Sequence, residues 1–196
     1  LKKNLDRDIK DISLFEIGPV FSGKKPGQQE VVVAALKSGM VSRLNWIEKE
    51  RKVDVFDAKK DVIQSLGEIG LDMKKFYINS KTPNYYHPGK SGAIYQDSNC
   101  SHPLAFFGEI HPNITQKLDI KTEALILFEI YLEKIVQNKI KLKDQKKRYK
   151  YSDYQKSERD FAFVIDQNFK VQDLVNIISE VDKKLIRSVK VFDVYE

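Results

Sequence analysis

The sequence predicts an α+β fold: a largely antiparallel sheet with flanking helices, followed by a smaller strand–helix–strand unit. Three observations carry that prediction. Apolar runs of strand length, bounded by Gly, Pro and Asn, recur through residues 12–131 with one clear helix-period segment among them, a pattern that suits an antiparallel sheet better than an alternating parallel one. The stretch NKIKLKDQKKRYK, residues 138–150, has too few apolar positions to build a core. After it come one strand-period run, one helix-period run and a second strand-period run, the order of half a split β-α-β domain. A chain of 196 residues, 41% hydrophobic, can bury at most two small cores. The expected division is therefore a sheet domain over residues 1–137, a basic linker over 138–150, and a half-domain over 151–196.

Taken in order, strands are expected at about Ile12–Phe21, Glu30–Lys37, Lys75–Ser80, Gly92–Gln96, Leu104–Ile110 and Leu125–Tyr131. SGKKPGQQ, residues 22–29, joins the first two as a hairpin-like loop. DAKKDVIQSLGEIG predicts a helix with Asp57 as its N-cap, Val62, Ile63 and Leu66 on one face, and Gly67 or Gly70 at its end. A short helix is expected from Pro112, which suits a first turn, to about Leu118. Beyond the linker, RDFAFVID reads as a strand over Arg159–Ile165. VQDLVNIISEVDKKL reads as a helix with Val171, Leu174, Ile177, Ile178 and Val181 on one face, and VKVFDVY as a strand over Ser188–Tyr195. The third strand of a split β-α-β unit, which would fit between these two, is expected beyond Glu196.

Composition excludes several function classes. The longest apolar runs, Val31–Leu36 and Ala124–Phe128, fall far short of the roughly 18 residues of a spanning helix, so no membrane role is expected. The charged opening LKKNLDRDIKD has no apolar core of a signal peptide. Cys100 is the only cysteine, which excludes an internal disulfide, and a reducing cytoplasm is the simplest location. The net charge of +6 is local: ten basic residues face four acids between Lys134 and Asp160, and the rest of the chain is balanced.

Four stretches could carry chemistry. SLFEIGPVF places Glu16 in an apolar run that stops at Gly18-Pro19, so the acid is either a structural acceptor or part of an active site. In YYHPGKSG, His87, Gly89 and Lys90 could hold a phosphate or carboxylate, or form a tight turn into the strand that follows. In FFGEIHP, Glu109 and His111 share a strand face, but a metal centre needs three or four convergent ligands and no His-x-x-x-His or cysteine pair supports one, so no metal is expected. Neither a Gly-x-Ser-x-Gly elbow nor a phosphate-loop glycine pattern is present. The basic segment has seven positive charges between Lys139 and Lys150, with Tyr149, Tyr151 and Tyr154 beside them. It offers phosphate contacts and stacking surfaces through Lys146, Lys147, Arg148 and Lys150, with Arg159 further on, or is simply a solvated linker.

Five blocks in order, LFEIGPVF, WIEKERKVDVFDAKKDV, YYHPGKSGAI, FFGEIHPNI and ERDFAFVID…VFDVYE, resemble the bacterial phenylalanyl-tRNA synthetase β-subunit family from about Asn4 to Glu196. The resemblance implies a class II aminoacyl-tRNA synthetase-like domain that has lost catalysis, truncated at its start. It also implies the first half of a ferredoxin-like domain that contacts the tRNA anticodon arm. Glu16, Gly18, His87, Gly89, Glu109, His111 and Asp160 occupy family-motif positions with an expected structural role. The implied partners are a catalytic α subunit in an (αβ)₂ heterotetramer and tRNA for phenylalanine. ATP and Mg²⁺ belong to the holoenzyme, and no cofactor to this chain. The family's Phe-Pro and arginine pair before the strand's Asp are replaced by Tyr154-Gln155 and Glu158-Arg159.

The residues themselves test the enzyme reading. Adenylation needs fixed cations on the α-phosphate, and catalytic members of the class supply an Arg two residues before the motif 2 Glu. With Glu16 as that acid, the position holds Leu14. The six arginines, at 7, 43, 51, 148, 159 and 187, follow no glycine-rich motif 3. An aliphatic side chain cannot stabilise a transferring phosphoryl group, so no catalytic residue is expected. Two other functions compete with the non-catalytic subunit: a free-standing basic RNA-binding module, and an active class II-like ligase. An apolar patch for the α subunit is expected around Phe106, Phe107 and Phe128.

Overall fold

The computed structural model describes residues 1–42, 46, 49–71, 76–137, 154–166 and 169–194. They fall into two compact units, 1–146 and 147–196.

In the first unit, a short helix α1 (Lys2–Leu5) precedes the hairpin of β1 (Ile12–Phe21) and β2 (Gln29–Ser38). Two short strands, β3 (Met40–Ser42) and β4 (Arg51–Lys52), pair with each other and lead into helix α2 (Val55–Glu68). Then come β5 (Tyr77–Asn79), β6 (Tyr86–Tyr95), β7 (Pro103–Ile110), helix α3 (Pro112–Lys117), β8 (Ile126–Tyr131) and helix α4 (Leu132–Gln137). Six strands form one sheet in the order β1-β2-β8-β7-β6-β5, antiparallel at every pairing. The central place of β8 closes the sheet around the last strand of the unit. Strand β6 begins at Tyr86, six residues before the expected Gly92, because YYHPGKSG is an irregular part of the strand and not a turn outside it.

Helix α2 starts earlier than expected. Asp54, not Asp57, is the N-cap: its carboxylate accepts the backbone N–H groups of Phe56 (2.8 Å) and Asp57 (3.1 Å), and Asp57 returns a bond from the N–H of Asp54 (2.9 Å). This reciprocal capping box places Asp57 in the first turn. Arg51 grips Asp57 with both guanidinium nitrogens at 2.9 and 2.8 Å, which holds that carboxyl below its ordinary range. At the other end Gly70, at φ +95°, takes the left-handed position that follows the C-cap.

Helical spacing puts Ala58, Val62 and Leu66 on one stripe, and all three are sealed against the sheet. Their partners are Ile94, Leu104, Ala105, Phe107, Ile126, Phe128 and Ile130, with Ile135 of α4 completing the core. Complete burial of a Val, Leu or Phe side chain contributes about 1.5–3 kcal/mol, so this layer supplies most of the unit's stability. A smaller cluster of Tyr86, Ile110 and Leu125, flanked by Leu1, Ile114 and Ile120, lies on the sheet's other face.

The second unit departs from the expectation. Helix α5 (Val171–Val181) forms, but residues 159–165 and 188–194 are not strands. A strand exists only as part of a ladder, and in a split β-α-β arrangement the first two strands are separated by a third. Among the described residues nothing pairs with either segment. Their apolar side chains, including Phe161, Val164, Phe192 and Val194, are accordingly exposed, and α5 buries none of its residues.

Candidate functional site: the open face of the sheet

Side chains alternate across a strand, so the register assigns each residue to a face. On the helix-covered side stand Ile126, Phe128 and Ile130 of β8, with Val33 and Ala35 of β2 opposite the last two. The other face carries one continuous row in which Glu16 stands opposite Ala34, Ala34 opposite Glu129, Glu129 opposite Phe106, and Phe106 opposite Ala93. The parallel row on this face reads Leu14, Leu36, Leu127, Gly108 and Ser91.

The chemistry of this face centres on Glu129, which sequence inspection did not single out. Its Oε2 accepts the hydroxyl of Tyr85 at 2.6 Å and that of Tyr86 at 3.2 Å. Tyr86 packs at 4.9 Å from Tyr85 and 6.4 Å from Phe106, and Phe106 meets Tyr131 edge-on at 5.8 Å between ring centres. Burial, and then the Glu129 carboxylate beside them, push the phenols of Tyr85 and Tyr86 far above the ordinary tyrosine value. Tyr131 is pushed up to about 12 by burial and by Glu129. Lys134 stands 4.1 Å above the Tyr131 ring and 3.5 Å from Glu30. The signals that could have found the cluster are the Tyr-Tyr pair and the acid in the alternating run ILFEIY.

Glu16 lies in the same row as Glu129, two strands away, roughly 9–10 Å by strand spacing. It is exposed on an edge strand and has no hydrogen-bond or ion-pair partner among the described residues. The reason is position: β1 has a neighbour on one side only. Nothing approaches within 4 Å of a Cβ built on Gly18, so the floor beside Glu16 and Ala34 is open.

The His-Pro-Gly-Lys stretch forms a bulge, since between Tyr86 and Ser91 strand β6 spends five steps against two on β7. The bulge satisfies its own groups. His87 Nδ1 accepts the N–H of Gly89 (3.1 Å), Ser91 Oγ donates to the His87 carbonyl (2.7 Å), and Lys90 pairs with Glu109 at 2.8 Å. His111 caps α3 by accepting the N–H of Asn113 at 3.2 Å, and its ring lies 6.4 Å from that of His87. The structure thus brings His87, Gly89, Glu109 and His111 together around a bulge and a helix start. Gly108 makes the bulge possible: at φ +156°, a Cβ there would lie 2.7 Å from the Lys90 carbonyl and 2.4 Å from Ser91 Cβ. Among the described residues no group of three His, Cys, Asp or Glu is placed to hold a metal ion, and no helix is long and apolar enough to cross a membrane.

The open face does not suit a nucleotide. Its strands contribute Glu16, Glu30 and Glu129 but no arginine or lysine, and Leu14 lies beside Leu36 and Leu127 where a cation would have to meet a phosphate. Of the expected RNA contacts, Lys146, Lys147, Arg148 and Lys150 lie outside the described residues. Arg159 is exposed and donates to the Glu158 carbonyl at 3.0 Å, and Asp160 is exposed beside it. The apolar patch is also relocated. Phe107 and Phe128 are core residues, whereas Phe15, Ile17 and Phe21 of β1 are 76, 59 and 69% exposed.

Fold and site together define an α+β sheet domain whose open face holds acids and tyrosines in place of a phosphate-binding constellation. The chain belongs to the phenylalanyl-tRNA synthetase β-chain family: the family's CLM-domain model matches residues 1–132, and a ferredoxin-fold anticodon-binding domain model matches 152–196. The phenylalanine–tRNA ligase β subunit of Paramagnetospirillum magneticum is 39% identical over 194 residues, 99% of this chain and 24% of that protein. Those of Bartonella quintana and Cereibacter sphaeroides are 38 and 40% identical over 200 and 191 residues, covering 100 and 97% of this chain and 24 and 23% of theirs. The chain thus spans about a quarter of the length of the curated relatives it matches. Among solved structures, a pyrrolysyl-tRNA synthetase of Desulfitobacterium hafniense matches at TM-score 0.44 and 13% identity, over 69% of this chain and 45% of that one.

Proposed function

We propose that the chain is a non-catalytic portion of the β subunit of phenylalanine–tRNA ligase, which charges tRNA for phenylalanine in an ATP-dependent reaction. Its sheet domain, a class II-like scaffold, packs on the catalytic α subunit of an (αβ)₂ assembly in the cytoplasm. Residues 151–196 assist tRNA binding, and residues 138–150 link the two parts and supply phosphate contacts through Lys146, Lys147, Arg148 and Lys150, with Arg159 beyond. ATP and Mg²⁺ act on the α subunit.

The observation that carries the non-catalytic assignment is the row Leu14, Leu36, Leu127, which leaves no cation beside the Glu16 position. The exposed apolar residues of β1 suit the α-subunit contact, because a monomer rarely leaves Phe15, Ile17 and Phe21 together in water. Co-expression with the α subunit of the same source is expected to give a stoichiometric complex. ATP–pyrophosphate exchange with phenylalanine is expected from that complex and not from this chain alone. Exchange by the chain alone would overturn the non-catalytic assignment, and failure to co-purify would overturn the partnership.

A further inference from the structure

The open face has a composition that its family assignment does not account for. One carboxylate, Glu129, is fixed from one side: two tyrosine hydroxyls converge on its Oε2, while its Oε1 has no hydrogen-bond partner among the described residues. Three part-exposed rings, Tyr85, Phe106 and Tyr131, stand around it, and Ala34 lies between it and the open floor at Gly18. A second acid, Glu16, ends the same row. The strands of this face bring no cation to it, whereas one ammonium from α4, Lys134, already sits over the Tyr131 ring at 4.1 Å.

We propose that the open face around Glu129 binds a small organic ammonium ion, with the carboxylate as counter-charge and the rings of Tyr85, Phe106 and Tyr131 as walls. An ammonium fits because ring faces and a carboxylate both carry negative potential, and each contact gains where water is partly excluded. Anions are repelled by the same groups. Tyr85 and Tyr86 act as positioning residues: by occupying Oε2 they fix the carboxylate and leave Oε1 as the acceptor for the ligand. Lys134, held near Glu30, marks one border of the site and shows that its aromatic wall accepts an ammonium. The site is a shallow face and not a closed cavity, so millimolar affinity is expected. It is independent of the synthetase assignment, since neither ATP nor the α subunit enters the argument.

Benzylammonium and benzyl alcohol separate charge from shape. The 196-residue chain, isotope-labelled, is titrated with each, and the resonances of Glu129, Tyr85, Phe106 and Tyr131 are followed. Saturable shifts at these residues with benzylammonium, at least ten-fold weaker binding of the alcohol, and loss of that preference in Glu129→Gln are the expected results. Equal binding of amine and alcohol, shifts mapping elsewhere, or an amine preference that survives in Glu129→Gln each overturn the proposal. Should Glu129→Gln fail to fold, the comparison of the two ligands on the unmodified chain decides alone.

Discussion

Raising the pH should destabilise the sheet domain in part through Tyr86, and removing its hydroxyl should remove that share of the sensitivity. Tyr86 is 2% exposed and donates to Glu129, so ionising it in the folded state would bury a phenolate against a carboxylate. Its native pKa is therefore raised well above the unfolded value of about 10. A raised folded pKa contributes stability that is fully present below pH 10 and is lost as pH climbs above it, because the unfolded chain releases a proton that the native state retains. With the native phenol un-ionised throughout, the loss from this one group is about 1.4 kcal/mol between pH 9 and pH 11. At neutral pH, Tyr86→Phe removes a hydrogen bond to a charged acceptor and should cost about 1.5–3 kcal/mol. The gap between the two proteins should then narrow by about 1.4 kcal/mol at pH 11. Urea unfolding followed by circular dichroism at pH 7, 9, 10 and 11 measures both quantities. A gap that stays constant across this range would refute the reasoning, since it would mean that Tyr86 titrates alike in both states.

Two further contrasts test the packing. Gly108→Ala forces a Cβ against the backbone of Lys90 and Ser91 at a positive φ and should cost about 3 kcal/mol or more, whereas Gly18→Ala, with nothing within 4 Å, should stay within about 0.5 kcal/mol; thermal denaturation of both decides. Phe128→Ala in the core should cost about 3–5 kcal/mol, whereas Phe15→Ala at the edge should leave unfolding of the isolated chain nearly unchanged and instead weaken co-purification with the α subunit.

How much of this was legible follows from what each signal depends on. Strands β1, β2, β7 and β8 were readable because alternation is a local property of stretches such as Ile12–Phe21 and ILFEIY, and the buried face of α2 was readable at Val62 and Leu66, although the stripe continues to Ala58 and leaves Ile63 only partly buried. The cap of α2 was misplaced by three residues because Asp54 and Asp57 are both good caps, and only the backbone decides which is outside the helix. The strands of the second unit do not form although RDFAFVID and VKVFDVY have strand-like patterns, because pairing is a property of two segments and among the described residues neither 159–165 nor 188–194 has a neighbour to pair with. The Tyr-Tyr pair and the acid of ILFEIY were each visible, but that they meet was not, because Tyr86 and Tyr85 lie 43 and 44 positions from Glu129.

The tetrapeptide LFEI shows the same limit from the opposite direction. It occurs twice, at 14–17 and 127–130, and the structure sets both copies in register on either side of β2: Leu14 and Leu127 flank Leu36, Phe15 and Phe128 flank Ala35, Glu16 and Glu129 flank Ala34, and Ile17 and Ile130 flank Val33. Identical residues then meet opposite fates. Phe128 is 8% exposed and Ile130 1%, under α2 and α4, while Phe15 and Ile17 are 76 and 59% exposed at the sheet's edge. Glu129 is fixed by two phenols and Glu16 by none. The sequence of a strand therefore decides which face each side chain takes, and its rank in the sheet decides what that face meets. The same register argues against phosphate chemistry more strongly than Leu14 alone. An arginine at position 14 would cross the apolar row of Leu36 and Leu127, and any phosphate beside it would also face Glu129, an acid in addition to the one at the motif 2 position, whose charge repels an anion. Restoring the single missing cation would leave that repulsion in place.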